Sequence, residues 1–491
     1  MGYSKTRYLL AACHIPPPSR NSMQLMANKV SDQIEDLNKQ DMCARRKGIS
    51  KLKKDVTGCP SLNVSLDARY NTTTFGSRAK SGQNASQAIM TAVNSDGKER
   101  EIIDLFVQNK LCYEGSWLRS HGYNVTCPGH LFCTANTEKT FPLSEFTMGE
   151  EIGKNFRLDD LFIKYVCTDG DARSAEGVGK AMNKDNALWK VLRQADTVHL
   201  GCSQYRKCLK CNFSNQFYPN HLSTVEQKKD LLRVFSEDIR SRCHLTFDNL
   251  YNDCDGNVLK MSIKSKHVIS MLISCYNGDH SKCRKKGSLV GCSGGKYKNW
   301  FTKSVFFNTL TYKLTKFNTS KADKMLVKEI IKMKLGIKCI ELMKFKFDTC
   351  KNEACNRAIS TSLPKNVKFS RNVTGRAHSA VHRVNHGLGE SLHIKLEKVG
   401  ADIPKGGLVA KAVKRLNSDS QYHKEYKKRK NVKKRIANQK CIQRYEYNQM
   451  KRKRKARDMY QKGLLDEKPQ VSRVRRNKQK LDHTYSEFDW S

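Results

Sequence analysis

Leu62-Asn63-Val64-Ser65-Leu66-Asp67-Ala68 alternates apolar and polar residues without a break. Successive strand side chains point to opposite faces, so this run predicts a half-buried strand with Asn63, Ser65 and Asp67 on its polar face. Two more strand-like runs follow, Ala88–Val93 and Ile102–Val107, with the turn signal Asp96-Gly97 between them. They predict a three-strand meander. The apolar run Leu161–Cys167 (LFIKYVC) ends at Thr168-Asp169, as suits a buried central strand, and Ser174–Met182 reads as a helix start. Strands, some helix, a further strand and a helix predict an α/β fold with a mixed sheet.

The rest of the chain divides by composition. Residues 1–54 read as a disordered start with Pro16-Pro17-Pro18, then an amphipathic helix over 22–54 carrying Met26, Val30, Ile34 and Leu37. Residues 55–195 hold the first part of the sheet domain. Residues 196–319, rich in Cys, His, Gly and Asn, read as an inserted module of mixed helix and loop. Residues 320–420 hold the second part. There Ser320 and Asp323 form a capping pair, and Leu326, Ile330, Met333, Ile337 and Ile340 predict one long helix packed on the sheet. A helix over Lys351–Leu363, stopped by Pro364, puts Glu353, Asn356, Arg357 and Ser360 on one polar face. Residues 421–491 form a basic tail.

Charge limits the partners. Lys and Arg number 91 against 47 Asp and Glu, so 91 − 47 gives the net charge of +44. Such an excess calls for a polyanion and argues against an ordinary neutral enzyme. Residues 424–457 hold 16 Lys/Arg in 34 residues, which predicts a solvated helix or disorder. The runs Lys427-Lys428-Arg429-Lys430 and Lys451-Arg452-Lys453-Arg454-Lys455 suit nuclear import and phosphate binding, without base recognition. No apolar run reaches the length of a membrane span. Met1-Gly2 with Thr6 fits a myristoylation pattern, but Tyr3 is bulky for it, and chance accounts for the Asn-x-Ser/Thr triplets. The 19 cysteines are odd in number and no export signal is visible, which disfavours a secreted disulfide-rich binding protein and predicts reduced thiols.

Three acids stand where acids cost stability: Asp67 in a strand, Asp169 at the end of the apolar strand and Glu353 on a helix. A meander, a strand ending in Asp and a later helix with Glu is a ribonuclease-H-like layout. There, three carboxylates hold two divalent ions for phosphodiester chemistry, and hard oxygen ligands select Mg²⁺. Asp171, two residues on, is the alternative second ligand. The 353 − 169 = 184 residues between strand and helix require an insertion.

These stretches resemble a known family. Val64-Ser65-Leu66-Asp67-Ala68-Arg69-Tyr70-Asn71 is similar to the first-Asp motif of Mutator-like transposase domains of animal genomes. Lys164-Tyr165-Val166-Cys167-Thr168-Asp169-Gly170-Asp171 is similar to the second, and Glu353-Ala354-Cys355-Asn356-Arg357 to the Glu-x-x-Asn segment. Cys127-Pro128-Gly129-His130, Cys292-Ser293-Gly294-Gly295, Ser362-Leu363-Pro364-Lys365-Asn366 and the stretch from Gly375 to Arg383 agree as well. The resemblance spans about residues 25–425. It implies a nuclear DNA transposase of the DDE type, with Asp67, Asp169 and Glu353 holding Mg²⁺ or Mn²⁺. Double-stranded DNA, both element ends and target, is the implied partner, with room for a homo-oligomer and no membrane. The alternative is a host-adopted, catalytically silent DNA-binding protein on the same fold.

Cys275-x4-His280-x2-Cys283-x8-Cys292 offers four soft ligands within 18 residues, as structural Zn²⁺ requires. Cys208-x2-Cys211 with Cys202 and Cys243 or His244 is a second candidate. Cys127-x2-His130-x2-Cys133 with Cys112 is a third, for which a turn fixed by Pro128-Gly129 is an equal reading. Asp196-x2-His199 could place an acid and an imidazole on one helical face near the site, with an ordinary surface pair as the preferred reading.

Overall fold

The computed structural model describes residues 10–71, 85–97, 101–169, 172–184, 187–283, 289–290, 292, 304, 306–310 and 312–433, and scattered residues from there to 450. The chain divides into two compact units, Met1–Val413 and Lys414–Ser491.

The first unit is a mixed α/β structure built on one sheet. Strands β1 Ser61–Tyr70, β2 Gln87–Asn94, β3 Ile102–Asn109, β4 Phe162–Thr168 and β5 Leu192–Ala195 lie in the order β3-β2-β1-β4-β5. The first three pair antiparallel, as the expected meander requires. Strands β1, β4 and β5 run parallel. The four residues of β5 carry no strand signal of their own; they become a strand by pairing Leu192–Ala195 with Tyr165–Thr168 of β4.

One face of the sheet buries Leu62, Val64, Leu66, Met90 and Val166 under two helices, α3 Glu145–Leu158 and α4 Arg173–Met182. Those helices cross backbone to backbone. A Cβ on Gly177 would come within 2.0 Å of Phe146 O, and one on Gly149 within 2.2 Å of Ser174 O, so the crossing admits only glycine. The opposite face packs Ile89, Val93, Leu105 and Val107 against three further helices: α1 Arg20–Thr57, α10 Cys350–Ser362 and α11 Val373–His386. A short helix, α2 Tyr113–Ser120, follows β3.

Helix α1 is fastened by a buried ion network. Arg46 Nε donates to Asp159 Oδ2 at 2.7 Å, and its Nη1 donates to Ile103 O at 2.8 Å and stands 3.2 Å from Asp104 Oδ1. Burial pushes the Asp104 carboxyl up to about 6, and the Arg46 guanidinium acts against that rise. Removing one member of such a network strands the others without a counter-charge, at about 3–5 kcal/mol. Arg46→Met is therefore expected to lower unfolding free energy by that amount in urea titration; a loss below about 1 kcal/mol would contradict this anchoring role.

Beyond β5 the chain builds a helical module from α5 Thr197–Cys208, α6 Val225–Asp253, α7 Val258–Tyr276, α8 Lys321–Leu335 and α9 Ile337–Leu342. Its core joins Phe217, Phe235, Phe247, Tyr276, Phe317 and Ile331. Between residues 196 and 319 the described residues alternate helix with non-helical connections, α6 alone spanning 29 residues. One expectation is corrected here. The long helix expected from Leu326 to Ile340 is two helices, because Gly336 takes extended backbone (φ −70°, ψ 153°). Its Val327, Ile330, Ile331 and Leu335 enter the helical module's core rather than the sheet's. The capping box of Ser320 and Asp323 is present.

Helices α12 Leu388–Lys398 and α13 Leu408–Lys428 follow. In the second unit the described residues beyond α13 are largely helical through Met450, so helix rather than disorder describes this part of the tail. Among the described residues, no helix is long and apolar enough to cross a membrane.

Candidate active site

The polar face of β1 is not solvated. Ser65, Asp67 and Arg69 point to one side of the strand, and Asn352, Asn356 and Ser360 follow each other at intervals of four on α10. The two stripes pair in order. Asn352 Nδ2 donates to Ser65 O at 3.1 Å and Thr91 O at 2.9 Å, and Ser65 Oγ donates to Asn352 Oδ1 at 2.7 Å. Asn356 Nδ2 donates to Asp67 Oδ2 at 2.7 Å. Arg69 Nε donates to Ser360 Oγ at 3.0 Å, and Arg69 also bonds Leu363 O. Ser65, Arg69 and Asn352 are buried, so each of these polar groups must be satisfied by a partner, and register between strand and helix is fixed.

That register carries Glu353 to the strand ends. Ser65 pairs with Cys167 across the parallel β1–β4 ladder, and continuing it sets Asp67 level with Asp169. Burial, then the Asp169 carboxylate, push Asp67 up to about 6; Glu353 adds to the rise, while the bond from Asn356 opposes it. Asp67 thus lies within electrostatic reach of both the Asp169 and the Glu353 carboxylates. Asp171 lies outside the described residues.

For two residues the preferred sequence reading is corrected here. Asp196 and His199 are not a surface pair. Asp196 is buried and caps α5, its Oδ1 accepting from the backbone N–H of Val198 (2.6 Å) and His199 (2.9 Å). Its Oδ2 accepts from the N–H and hydroxyl of Thr349, each at 2.7 Å, at the start of α10. One carboxylate therefore holds together the starts of the helices that bear His199 and Glu353. His199 Nε2 lies 3.9 Å from Glu353 Oε1 and its Nδ1 3.4 Å from Asp196 Oδ2. The Asp196 carboxylate holds the His199 imidazole above its ordinary value, with Asp169 and Glu353 acting in the same direction. Burial alone would push Asp196 up, but hydrogen bonding to His199 and Thr349 outweighs it and holds the carboxyl well below its usual range. The available signal was an Asp at a helix start with His three residues on.

Two groups of Cys and His gather four ligand atoms within 4.8 Å of one another: Cys275, His280, Cys283 and Cys292, and Cys112, Cys127, His130 and Cys133. In the first, His280 Nδ1 is 3.4 Å from Cys283 Sγ and 3.6 Å from Cys292 Sγ. Tetrahedral zinc with Zn–S near 2.3 Å and Zn–N near 2.0 Å sets ligand–ligand edges of about 3.5–3.8 Å. Hydrogen bonding from Cys275 draws the Cys292 thiol down, and Cys275 is correspondingly pushed up. The second sequence candidate does not gather in this way: no three of Cys202, Cys208, Cys211, Cys243 and His244 bring ligand atoms within 4.8 Å of one another. Cys208 and Cys243 pack in the helical core, and His244 Nδ1 pairs with Lys334 Nζ at 2.9 Å. All 18 described cysteines are free thiols.

Of the basic tail, Lys427 and Lys428 end α13, and Arg429 and Lys430 follow. Arg429 stands 5.5 Å from the Tyr426 ring, and Arg435 Nη2 donates to Tyr426 Oη at 2.8 Å. Lys451, Arg452, Lys453, Arg454 and Lys455 lie outside the described residues.

Among solved structures, a chain of the Drosophila P element transposase strand transfer complex is similar over 77% of this chain and 88% of its own, at 9% identity and a TM-score of 0.25. No curated protein matches the sequence. A family model described as Mutator-like transposase matches residues 1–292, taking in Asp67, Asp169 and both four-ligand Cys/His groups and ending before α10. With more than half of its 491 residues matched in this way, the chain belongs to the Mutator-like transposase family.

Proposed function

We propose that this transposase is a metal-dependent enzyme that cleaves DNA strands at element ends and joins the freed 3′-hydroxyl to target DNA. The observation that carries the reading is Asp67 on β1 and Asp169 directly after the end of the adjoining parallel strand β4, with Glu353 on a helix zipped onto β1. The strand order β3-β2-β1-β4-β5, antiparallel on one side of β1 and parallel on the other, supports a ribonuclease-H-like core. The residues fit Mg²⁺ or Mn²⁺. They offer hard oxygens, burial and the neighbouring carboxylates push Asp67 up, and among the described residues no group donates to the buried Asn356 Oδ1 beside it. Asp67, Asp169 and Glu353 would hold such ions, which would supply activation of the attacking oxygen and stabilisation of the leaving one. Asn356 orients the Asp67 carboxylate, and Asp196 aligns α5 with α10. Asp67→Asn, Asp169→Asn and Glu353→Gln each test the assignment by loss of strand cleavage with DNA binding kept.

Structural Zn²⁺ at Cys275, His280, Cys283 and Cys292 belongs to this reading, since these thiols stand within the helical module's own core. So does a nuclear location, supported by the basic runs of the tail. The partner is double-stranded DNA, and a homo-oligomer that pairs two element ends suits the reaction.

Residues 424–491 carry a large share of the phosphate contacts in this reading. Each neutralised phosphate adds about −0.9 to the slope of log affinity against log salt on duplex DNA. Removing residues 424–491 is expected to flatten that slope by several units on both element-end and random duplexes. A salt titration of binding checks it; an unchanged slope would place the phosphate contacts in the remainder of the chain.

A further inference from the structure

The chain leaves the sheet at Asn109 and returns to the same residue. The N–H of Asn136 donates to Asn109 O at 2.9 Å, and Asn109 Nδ2 bonds both Leu111 O and Thr134 O at 2.8 Å. Between these clamps, residues 110–136 form an excursion whose single helix is α2. Within it only Cys112, Gly115 and Ala135 are buried. Its large apolar side chains turn outward: Leu131 is 79% and Phe132 77% exposed. Hydrophobic burial therefore does not hold this segment in shape.

Four soft ligand atoms stand where a core would be. His130 Nε2 is 3.4 Å from Cys112 Sγ and 3.2 Å from Cys127 Sγ, and all four atoms, Cys133 Sγ included, fall within 4.8 Å. The ligands come from both ends of the excursion, so one ion would close it. The backbone leaves room for the group: a Cβ on Gly115 would stand 2.3 Å from Cys127 Sγ and 2.7 Å from His130 Nε2. Three thiolates and an imidazole, with no open carboxylate position, make the donor set of a closed structural zinc site rather than a catalytic one.

We propose that Cys112, Cys127, His130 and Cys133 hold a second structural zinc ion, independent of the ion proposed at Cys275. The site braces more than its own segment. Thr134 Oγ1 donates to Ser370 O at 2.7 Å, and Gln87 Nε2 donates to Phe369 O at 2.8 Å and to Asn109 Oδ1 at 2.9 Å. The base of the excursion is thereby tied to the loop that follows α10, the helix of Glu353.

The test uses full-length protein purified without added metal. Metal analysis and native mass spectrometry are expected to find two zinc ions per chain. Thiol alkylation, read peptide by peptide, is expected to leave the half-buried Cys127 and Cys133 unmodified until a strong chelator is added, while exposed Cys350 reacts at once. Cys127→Ser is expected to bring the count to one, expose Cys133, and leave Cys283 and Cys292 protected. One zinc ion in the native protein, with Cys127 and Cys133 alkylated as fast as Cys350, would overturn the proposal. Wild-type protein serves for that decision if the variant fails to fold. Reactive Cys283 and Cys292 beside protected Cys127 and Cys133 would count against the Cys275 ion and support this one.

Discussion

Asp67→Asn is expected to make the metal-free protein more stable while abolishing strand cleavage. Asp67 is pushed from 3.8 up to about 6 by burial and by Asp169. The folded state therefore keeps this proton to higher pH than the unfolded chain does. Between about pH 4 and 6 folding takes up a proton, so stability falls as pH rises through that window and the penalty is complete above it. At 1.36 kcal/mol per pH unit, the difference between 3.8 and about 6 amounts to about 3 kcal/mol at neutral pH. Asn keeps an oxygen to accept from Asn356 Nδ2 and removes the charge. The variant should gain about 1–3 kcal/mol at pH 7.5 and nothing at pH 4. Mg²⁺ should raise the melting temperature of wild type and leave the variant's unmoved. Cleavage should fall by about 10³-fold or more, about 4 kcal/mol of barrier. Thermal melts at both pH values, with and without Mg²⁺, check the stability half; a variant less stable than wild type at pH 7.5 would contradict the strained-carboxylate account.

Cys283→Ser should have the largest effect on folding. Cys275, Cys283 and Cys292 lie in one apolar cluster with Tyr276, Phe235 and Phe317, so an ion held there is part of the core. Structural zinc contributes about 10–16 kcal/mol of apparent binding free energy at neutral pH in small zinc-dependent folds. That is comparable to the whole stability of a typical domain, about 5–15 kcal/mol. The variant is expected to lose one zinc ion and the helical module's cooperative transition, and to express largely as insoluble protein. Chelator should reproduce this in wild type. Zinc content and calorimetry measure it; a soluble, zinc-free wild-type protein with an unchanged melting profile would refute the assignment.

Much of the site was legible because its residues sit on elements with strong local signals. Strand β1 announces itself by alternation and β4 by an apolar run broken only by Lys164, and the polar stripe of α10 shows in the spacing of Glu353, Asn356 and Ser360. What the pattern could not say is where the stripes point. A polar strand face ordinarily meets water, whereas Ser65, Asp67 and Arg69 meet the polar stripe of a helix nearly 300 residues on, a pairing that only the fold reveals. Strand β5 was hidden for a similar reason: Leu192-Arg193-Gln194-Ala195 is extended because β4 offers it a free edge. Asp196 was hidden by ambiguity, since a capping Asp and a surface Asp look alike until the second carboxylate oxygen finds Thr349. The Gly336 break shows the opposite limit, a helical period that continues across a residue at which the backbone does not.

The most direct measurement is nicking of duplex DNA carrying the element's own ends by wild type and by Asp67→Asn, Asp169→Asn and Glu353→Gln. The account predicts nicks with free 3′-hydroxyls from wild type in Mg²⁺ or Mn²⁺, none with chelator, and none from any of the three variants although each still binds the DNA. Wild-type protein that binds the ends without nicking in either ion, or wild-type nicking by Asp67→Asn, would contradict it.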